Sequence, residues 1–281
     1  MSRPPISEGG RRIDLHTHTT FSDGLLTPEA LVARAIERQL AAIAVTDHDS
    51  VDGFERARAN SGPTLEVIPG IEVSTAMSGM DLHILGFFID TEDATLRLRL
   101  EGFRTERLNR AMQIVERLRE LGAPLEREAV LALAGPGVVG RPHVAEALVR
   151  AGHVEDFETA FRRYLGMQGQ AFVPRPAFRP EEAISMIHGA GGVSVLAHPG
   201  ASLPDSVITH LASEGLRGIE VWHPQHGAST VRRYRALAAK LGLLESGGSD
   251  FHGPGRSLDL GDIAVPASVL NPLKQAAGVA G

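Results

Sequence analysis

The sequence predicts an α/β fold in which strands and helices alternate along most of the chain. Short apolar runs, of the length of buried strands, precede longer segments with apolar residues at helical spacing. Such alternation is typical of βα units around a parallel sheet. A chain of 281 residues suits an α/β barrel, and about seven strands are expected from the spacing.

The strands are predicted where short runs are apolar and often β-branched. These runs are Ile13–Leu15, Ala42–Val45, Leu65–Ile71, Leu82–Ile89, Val193–Ala197, Gly218–Trp222 and Leu243–Ser246. Helical periodicity predicts helices at Pro28–Leu40, Val51–Asn60, Leu203–Glu214 and Ser229–Leu241. The first helix has a start signal, because Thr27 suits an N-cap and Pro28 suits the first helical position.

A long, mainly helical segment interrupts the alternation between the fourth and fifth strands. Its predicted helices are Leu96–Leu121, Arg127–Ala134, Pro142–Ala151 and Val154–Leu165, and Pro174–Pro180 is interpreted as the returning linker. The segment is too long for a single crossover helix. The predicted domains are therefore a barrel formed by residues 13–90 and 181–270, and a helical insertion, residues 91–180, that caps the active site.

The composition excludes several classes of protein. The chain has no cysteine, which excludes disulfides, thiolate zinc sites and a cysteine nucleophile. A net charge of −6 argues against indiscriminate binding to nucleic-acid backbones or anionic membranes. No apolar run reaches the roughly 20 residues of a membrane span, and the polar stretch Met1–Arg12 does not resemble a signal peptide. We therefore expect a cytoplasmic protein.

Nine metal-capable side chains fall where predicted strands end. In parallel α/β folds, this end of the strands carries the ligand site. His16 and His18 are two residues apart in extended sequence, so both side chains point the same way and can bind one metal ion. Imidazole and carboxylate groups together suit Mn, Fe or Zn, and several close together suit a multi-metal hydrolytic site. The nine residues are His16, His18, Asp23, His48, Glu72, His83, His198, Asp250 and His252.

Some of these residues also have a simpler interpretation. Asp23 precedes a glycine and can be an ordinary turn residue. His83 interrupts an apolar run and can be a buried core histidine with a partner other than metal. Asp47 and Asp49 flank His48 and are candidates to orient its ring. The recurrence of such groups across five separate segments favours a metal-dependent hydrolase.

In order along the chain, these motifs resemble those of the polymerase and histidinol phosphatase (PHP) superfamily. They are Asp14-Leu15-His16-Thr17-His18 through Ser22-Asp23-Gly24, Thr46-Asp47-His48-Asp49, Gly70-Ile71-Glu72-Val73-Ser74, His83-Ile84-Leu85-Gly86, Ala197-His198-Pro199 and Gly248-Ser249-Asp250-Phe251-His252. Within the superfamily, the chain most resembles bacterial nucleoside 3′,5′-bisphosphate phosphatases, which are related to a 5′-to-3′ trimming ribonuclease.

The resemblance implies a distorted (β/α)7 barrel that holds three divalent ions, often Mn²⁺, although Fe or Zn also suits the ligands. Carried over to this sequence, the nine residues fall into three sets, and Glu72 bridges the first two. The sets are His16, His18, Glu72 and Asp250; Glu72, His83 and His198; and Asp23, His48 and His252.

Substrate contacts are predicted outside the ligand sets. Arg141 opens a helix of the insertion and is a candidate phosphate clamp, with His143 beside it. His223 resembles a family position near the phosphate, so it is a candidate phosphate contact or general acid. His226 is a further candidate for contact with the phosphate. Three other histidines are interpreted as structural, namely His153, His188 and His210.

Four functions are considered for this site. The first is hydrolysis of the 3′-phosphate of a nucleoside 3′,5′-bisphosphate, and the second is 5′-to-3′ trimming of short RNA by the same site. The third is hydrolysis of histidinol phosphate or another small phosphate ester, and the fourth is a non-catalytic PHP module. Intact ligands, acidic net charge and a capping insertion favour an enzyme that acts on a small nucleotide or short RNA, not on duplex DNA or at a membrane.

Overall fold

The computed structural model describes residues 12–256 and 258–279 of the chain. Within them, seven strands form one sheet whose spatial order follows the order along the chain. The strands are β1 (Arg12–Thr17), β2 (Leu40–Val45), β3 (Glu66–Met77), β4 (Met80–Phe87), β5 (Val193–Leu196), β6 (Gly218–Trp222) and β7 (Leu244–Gly247). Each overlaps a predicted strand, so the predicted α/β class is confirmed.

Ten α-helices accompany the sheet in the described part of the chain. They are α1 (Pro28–Glu37), α2 (Phe54–Asn60), α3 (Ala94–Glu120), α4 (Arg127–Ala134), α5 (Arg141–Arg150), α6 (Phe157–Ala160), α7 (Pro180–Gly189), α8 (Asp205–Ser213), α9 (Ala228–Leu241) and α10 (Leu270–Ala276). Thr27 caps α1 as predicted, because its side chain accepts a hydrogen bond from the Ala30 N–H. The prediction of one helix over residues 154–165 is wrong, since α6 is followed by a π-helical turn, Phe161–Leu165. The sequence pattern did not predict α7 or α10.

The sheet is mostly parallel, as predicted, but strand β4 runs antiparallel to both of its neighbours, and there the prediction of a parallel sheet is wrong. Ser78 and Gly79 join β3 to β4 in a two-residue turn, and both have positive φ angles, 50° and 80°. Such turns are the usual connection in a β-hairpin. Because the two strands are only a turn apart, the chain has no room for the crossover helix that a parallel connection needs.

The end of β1 and the segment after β7 are hydrogen-bonded to each other. Phe251 pairs with Thr17 in a parallel bridge. The His18 N–H donates to the Phe251 carbonyl at 2.9 Å, and the Phe251 N–H donates to the His16 carbonyl at 3.2 Å. The first and last strands are therefore brought together where they carry predicted ligands.

The helices between β4 and α7 bury a hydrophobic cluster of their own. Its buried members lie between residues 111 and 173, and none belongs to a strand. The largest cluster on the sheet instead contains residues of strands β3, β4, β5 and β6, which pack against helices α3, α7, α8 and α9. Helix α3 contributes to both clusters, with Phe103 on the sheet and Leu118 among the other helices. This long helix therefore fixes the helical segment relative to the sheet.

None of the helices within the described residues has the length and apolar character needed to cross a membrane. The stretch Met1–Arg12, which we did not interpret as a signal peptide, lies outside the described residues apart from Arg12, the first residue of β1.

Candidate metal centre

The nine predicted metal ligands lie together at one end of the sheet, and most of them follow a strand. His16 is near the end of β1 and His18 directly follows that strand, whereas His48, His198 and Asp250 come after β2, β5 and β7. The carboxyl ends of parallel strands lie on the same side of a sheet, which explains why residues distant in sequence meet here.

Glu72 and His83 lie inside strands because β3 and β4 extend beyond the parallel part of the sheet. The ladder between β2 and β3 ends at Pro69. Strand β3 then continues alongside β4, where His83 pairs with Ser74, two residues beyond Glu72. Residues two apart on a strand point to the same face, so Glu72 and His83 share one side of the hairpin.

The Glu72 carboxylate lies in the middle of the cluster and is fully buried. Its Oε1 atom lies 2.7 Å from Nδ1 of His83 and 2.8 Å from Nε2 of His198. The second oxygen, Oε2, lies 3.2 Å, 3.2 Å and 3.1 Å from ring nitrogens of His16, His18 and His48. One buried carboxylate thus contacts two groups of imidazoles, one at each oxygen, as expected of a carboxylate that bridges two cations.

Two aspartates complete the ring of acceptors around the imidazoles. Asp250 Oδ1 lies 3.4 Å from Nε2 of His16 and 3.2 Å from Nε2 of His18. Asp23 Oδ1 lies 3.3 Å from Nε2 of His252, whose ring stacks on that of His18 with centroids 4.0 Å apart. The aspartates therefore link the segment after β1 to the segment after β7 at this site.

Within the described residues, the ligand atoms form three groups compact enough to hold a metal ion. The first group is the set that the resemblance implies for the first ion. The resemblance implies His198 for the second ion, but the second compact group has His48 in its place. The ring nitrogen of His198 nevertheless approaches the same Glu72 oxygen as that of His83. The groups are His16, His18, Glu72 and Asp250; His48, Glu72 and His83; and His18, Asp23, His48 and His252.

The chemistry of these donors fits divalent metal ions. Asp23 Oδ1 and His48 Nδ1 are buried and lack a hydrogen bond of adequate geometry among the described residues, as expected of atoms that serve an ion. Burial lowers the pKa of His48 to about 3, so its ring stays in the neutral form that binds metal. Burial alone would raise the pKa of the Glu72 carboxyl, but the imidazoles around it hold that pKa well below its usual range.

Asp47 supports the loop that carries Asp23 and does not orient the His48 ring. Its carboxylate accepts from the hydroxyl groups of Thr19 and Ser22 at 2.7 Å and 2.6 Å. A fully buried carboxylate needs such donors, and they fix the backbone between β1 and α1. The predicted orienting role of Asp47 is therefore wrong.

Sequence reasoning missed two buried carboxylates that touch the site. Glu220, in β6, has Oε1 3.0 Å from Nδ1 of His16, and its Oε2 accepts the His198 N–H at 2.6 Å. Asp14 accepts the N–H and the hydroxyl of Ser249 at 2.9 Å and 2.6 Å. Both carboxylates interrupt apolar strand sequence, where an acidic residue requires partners, and that is the signal that could have found them.

His223 presents one ring nitrogen to the centre. Its Nδ1 accepts the Gln225 N–H at 3.2 Å, which leaves the ring proton on Nε2. The Nε2 atom is buried and lies 3.5 Å from Asp250 Oδ2. A donor therefore points into the site, in keeping with the predicted role as phosphate contact or general acid.

His226 is engaged by the backbone through both ring nitrogens. Its Nδ1 donates to the Val221 carbonyl at 3.0 Å, and its Nε2 accepts the Gly200 N–H at 3.0 Å. It thus ties the loop after β5 to the end of β6. The structure gives His226 this structural role instead of the predicted phosphate contact.

His143 likewise positions backbone. Its Nδ1 accepts the Gly140 N–H at 3.0 Å at the start of α5. Its ring also forms a hydrogen bond with the backbone of Ser22, in the loop that carries Asp23. These bonds join α5 to the loop that carries Asp23. The structure therefore gives His143 a structural role instead of the predicted contact with phosphate.

Four arginines gather next to the hairpin that carries Glu72 and His83. Arg107 links them to it, because its guanidinium donates to Asp49 Oδ2 at 2.7 Å and to the Ser74 hydroxyl at 3.0 Å. Asp49 is thereby committed to Arg107 and does not orient His48. Three of the four line one pocket with Ser74. The four are Arg107, Arg110, Arg141 and Arg175, of which the sequence predicted only Arg141.

The arginines repel one another at close range. Burial and then the charges of its arginine neighbours lower the pKa of Arg110 to about 9. Burial and then Arg107 lower the pKa of Arg175 to about 10. Arg141 donates to Asp81 at 3.4 Å, and burial lowers its pKa as well. Four guanidinium groups at close range make the cluster suited to an anion such as a phosphate.

The fold and the centre together define a class of protein. Nine imidazole and carboxylate groups meet at one end of an α/β sheet, an arrangement typical of metal-dependent hydrolases. The model of the PHP domain family matches residues 14–172. The chain belongs to the PHP domain family, a family of metal-dependent hydrolases, which confirms the resemblance drawn from the motifs.

Curated relatives and solved structures agree with this assignment. The chain is 38% identical over 265 residues to the 5'-3' exoribonuclease Rnm of Salmonella typhimurium, covering 91% of this chain and 90% of that protein. It is 35% identical over 257 residues to the 3',5'-nucleoside bisphosphate phosphatase of Chromobacterium violaceum, covering 86% and 88%. A structure from Bifidobacterium adolescentis, described as a metal-dependent phosphoesterase, matches with a TM-score of 0.89 at 32% identity, covering 95% and 97%.

Proposed function

We propose that the protein is a cytoplasmic phosphoesterase that removes the 3′-phosphate of nucleoside 3′,5′-bisphosphates. The observation that carries this proposal is the contact between the candidate metal centre and the arginine cluster. Ser74 pairs with His83 across the hairpin, and its hydroxyl accepts from Arg107. A substrate with two phosphates can therefore place one at the ligands and the other at the arginines.

Three divalent ions, with Mn²⁺ as the expected metal and Fe or Zn as alternatives, are proposed to bind the nine ligands. Such ions, when bound, lower the pKa of water and neutralise charge on a phosphoryl group. The protein groups position them, because Glu72 keeps two groups of imidazoles apart by the width of one carboxylate. His223 holds a proton at Nε2 beside Asp250, where it is proposed to contact the phosphate and to serve as general acid.

The arginines are proposed to hold the phosphate that does not react. Arg141, at the first position of α5, would bind the 5′-phosphate together with Arg107 and its neighbours. Binding energy from a remote group of this kind positions the reacting group. The 3′-phosphate would then be the one released, and a nucleoside 5′-monophosphate would be the product.

We further propose that the strands close into a distorted (β/α)7 barrel, residues 13–90 and 181–270, with residues 91–180 as a helical insertion over the site. The bonds between the end of β1 and the segment after β7 support closure. The separate hydrophobic cluster between residues 111 and 173 supports the insertion. A site between two such parts is proposed to accept a small nucleotide or the end of a short RNA, and not duplex DNA.

Trimming of short RNA from its 5′ end is a second candidate function. Relatives of this chain bear the names of both activities, at similar identity. A 5′-phosphorylated RNA would offer the arginines the same terminal phosphate and the ligands the same 3′ phosphorus. We expect a 5′-phosphorylated oligoribonucleotide to be degraded faster than its 5′-hydroxyl form, measured by gel electrophoresis. Equal rates would argue against terminal phosphate recognition.

A substrate panel with released phosphate as the readout tests the proposed function. We expect kcat/KM for adenosine 3′,5′-bisphosphate to exceed that for histidinol phosphate and for simple monophosphates, because only the bisphosphate occupies both parts of the site. Equal or faster hydrolysis of histidinol phosphate would favour the third function. A metal-loaded protein inactive on every ester would favour a non-catalytic module.

Arg141→Ala is expected to impair hydrolysis of the bisphosphate and to spare that of substrates with a single phosphate. It should lower kcat/KM for the bisphosphate about 10- to 100-fold, the loss expected when a charge-assisted hydrogen bond is removed. Hydrolysis of a generic aryl phosphate should change far less. Arg150→Ala, on the same helix but paired with Glu146 at the surface, is the matched control. An equal loss on both substrates would contradict a role for Arg141 in binding the second phosphate.

A further inference from the structure

Glu220 is a fully buried glutamate in β6 that touches two predicted ligands. Its Oε1 lies 3.0 Å from Nδ1 of His16, and its Oε2 accepts the backbone N–H of His198 at 2.6 Å. These two histidines lie at different oxygens of Glu72, His16 at Oε2 and His198 at Oε1. Glu220 therefore spans the two cation positions proposed on either side of Glu72.

The contact with His16 determines which ring nitrogen carries the proton. An ionised carboxylate can only accept, so Nδ1 of His16 is the donor. The other nitrogen, Nε2, is 3.2 Å from Glu72 Oε2 and 3.4 Å from Asp250 Oδ1, so it is the one that would bind an ion placed among these groups. A carboxylate in this position sets the direction of the ring, and it makes the imidazole a stronger ligand for an ion at Nε2.

The contact with His198 acts on the backbone. His198 has a φ angle of 23°, in a region that residues other than glycine seldom adopt. Such a conformation persists only where the surroundings hold it. The charge-assisted bond from the His198 N–H to Glu220 is of the strong kind, and it holds the residue where its Nε2 reaches Glu72 at 2.8 Å.

We propose that Glu220 is a positioning residue that sets the ring of His16 and the backbone of His198 together. By doing so it fixes the separation of two cation positions. The inference rests on the proposed metal centre. A role in packing alone would change the stability of the protein and leave its metal affinity unaltered.

Glu220→Gln tests this role while keeping the size of the side chain. The amide oxygen accepts one hydrogen bond, but the amide nitrogen cannot accept the other, so either His16 Nδ1 or the His198 N–H faces a donor. We expect Mn²⁺ affinity, measured by competition with a chromogenic chelator, to fall about 10- to 100-fold. Excess Mn²⁺ should restore part of the lost activity.

The matched control is Glu245→Gln in the neighbouring strand β7. Glu245 pairs with Arg235 at 3.3 Å, away from the ligands, so Mn²⁺ affinity should equal that of the wild type. A folded Glu220→Gln protein with wild-type Mn²⁺ affinity would overturn the proposal. If the wild-type protein itself bound no Mn²⁺, Fe or Zn, the proposed metal centre would fail instead.

A second measurement uses the unaltered protein and applies even if Glu220→Gln does not fold. In Zn²⁺-loaded protein with ¹⁵N-labelled histidine rings, NMR should show His16 protonated at Nδ1 and unprotonated at Nε2. An ion at Nε2 alone would leave Nδ1 protonated, so the readout that reports Glu220 is the resonance of the Nδ1–H proton, which a hydrogen bond to a carboxylate shifts downfield and a role in packing does not. An unshifted Nδ1–H resonance would contradict the contact. A His16 ring protonated at Nε2 would overturn the proposal.

Discussion

Glu72→Ala is expected to remove bound metal and to lower kcat/KM by more than about 100-fold, since even indirect partners of a metal site are commonly worth 10- to 100-fold. Glu72 approaches five imidazoles with its two oxygens, so its loss affects two cation positions at once. Metal content, measured by mass spectrometry of the purified protein, and phosphate release should fall together.

The control for this experiment is His153→Ala. His153 is partly exposed. Its Nε2 donates to the Pro124 carbonyl at 2.8 Å, and Pro124 is not part of the centre. Activity and metal content should stay within about twofold of the wild type, as is usual for surface changes. A Glu72→Ala protein with wild-type metal content and turnover would remove Glu72 from the centre.

Removal of metal is expected to abolish activity completely. Excess chelator should give an inactive protein, and Mn²⁺ should restore activity better than Mg²⁺, because Mg²⁺ prefers oxygen ligands and this centre is rich in imidazole. Activity and bound metal should be followed in the same samples. Chelator saturated with Mn²⁺ beforehand is the control and should have no effect. Full activity in a protein shown to hold no metal would contradict the proposed chemistry.

Most of the ligand positions could be predicted from the sequence because the strand that precedes each of them is short and apolar. His16, His48, His198 and Asp250 each lie at or just beyond such a run, and the parallel sheet brings those ends together. The two-residue spacing of His16 and His18 was equally readable, since it follows from the alternation of side chains in extended backbone.

The direction of β4 was readable but was missed. The dipeptide Ser78-Gly79 between two apolar runs is a hairpin signal, and the ten residues that separate the predicted strands, 72–81, leave no space for a helix. The consequence is local but important. The extended hairpin places Glu72 and His83 inside strands and gives Glu72 its central position.

Contacts between residues far apart in sequence could not be predicted. Glu220 and His16 are 204 positions apart, and no local pattern relates them. The same holds for the arginines, because α3, α5 and the segment before α7 bring them to one place only through the packing of the helical segment. His143 and His226 were correctly placed near the site, yet only the structure shows that the backbone occupies their ring nitrogens.

Identification of the nucleotide product is the most direct test of the proposed function. Mn²⁺-loaded protein would be incubated with adenosine 3′,5′-bisphosphate, and the products separated by ion-exchange chromatography. We expect adenosine 5′-monophosphate and inorganic phosphate in equal amounts, because the arginines retain the 5′-phosphate while the 3′-phosphate meets the ligands. Release of adenosine 3′-monophosphate, or no hydrolysis by protein with metal bound, would contradict the proposal.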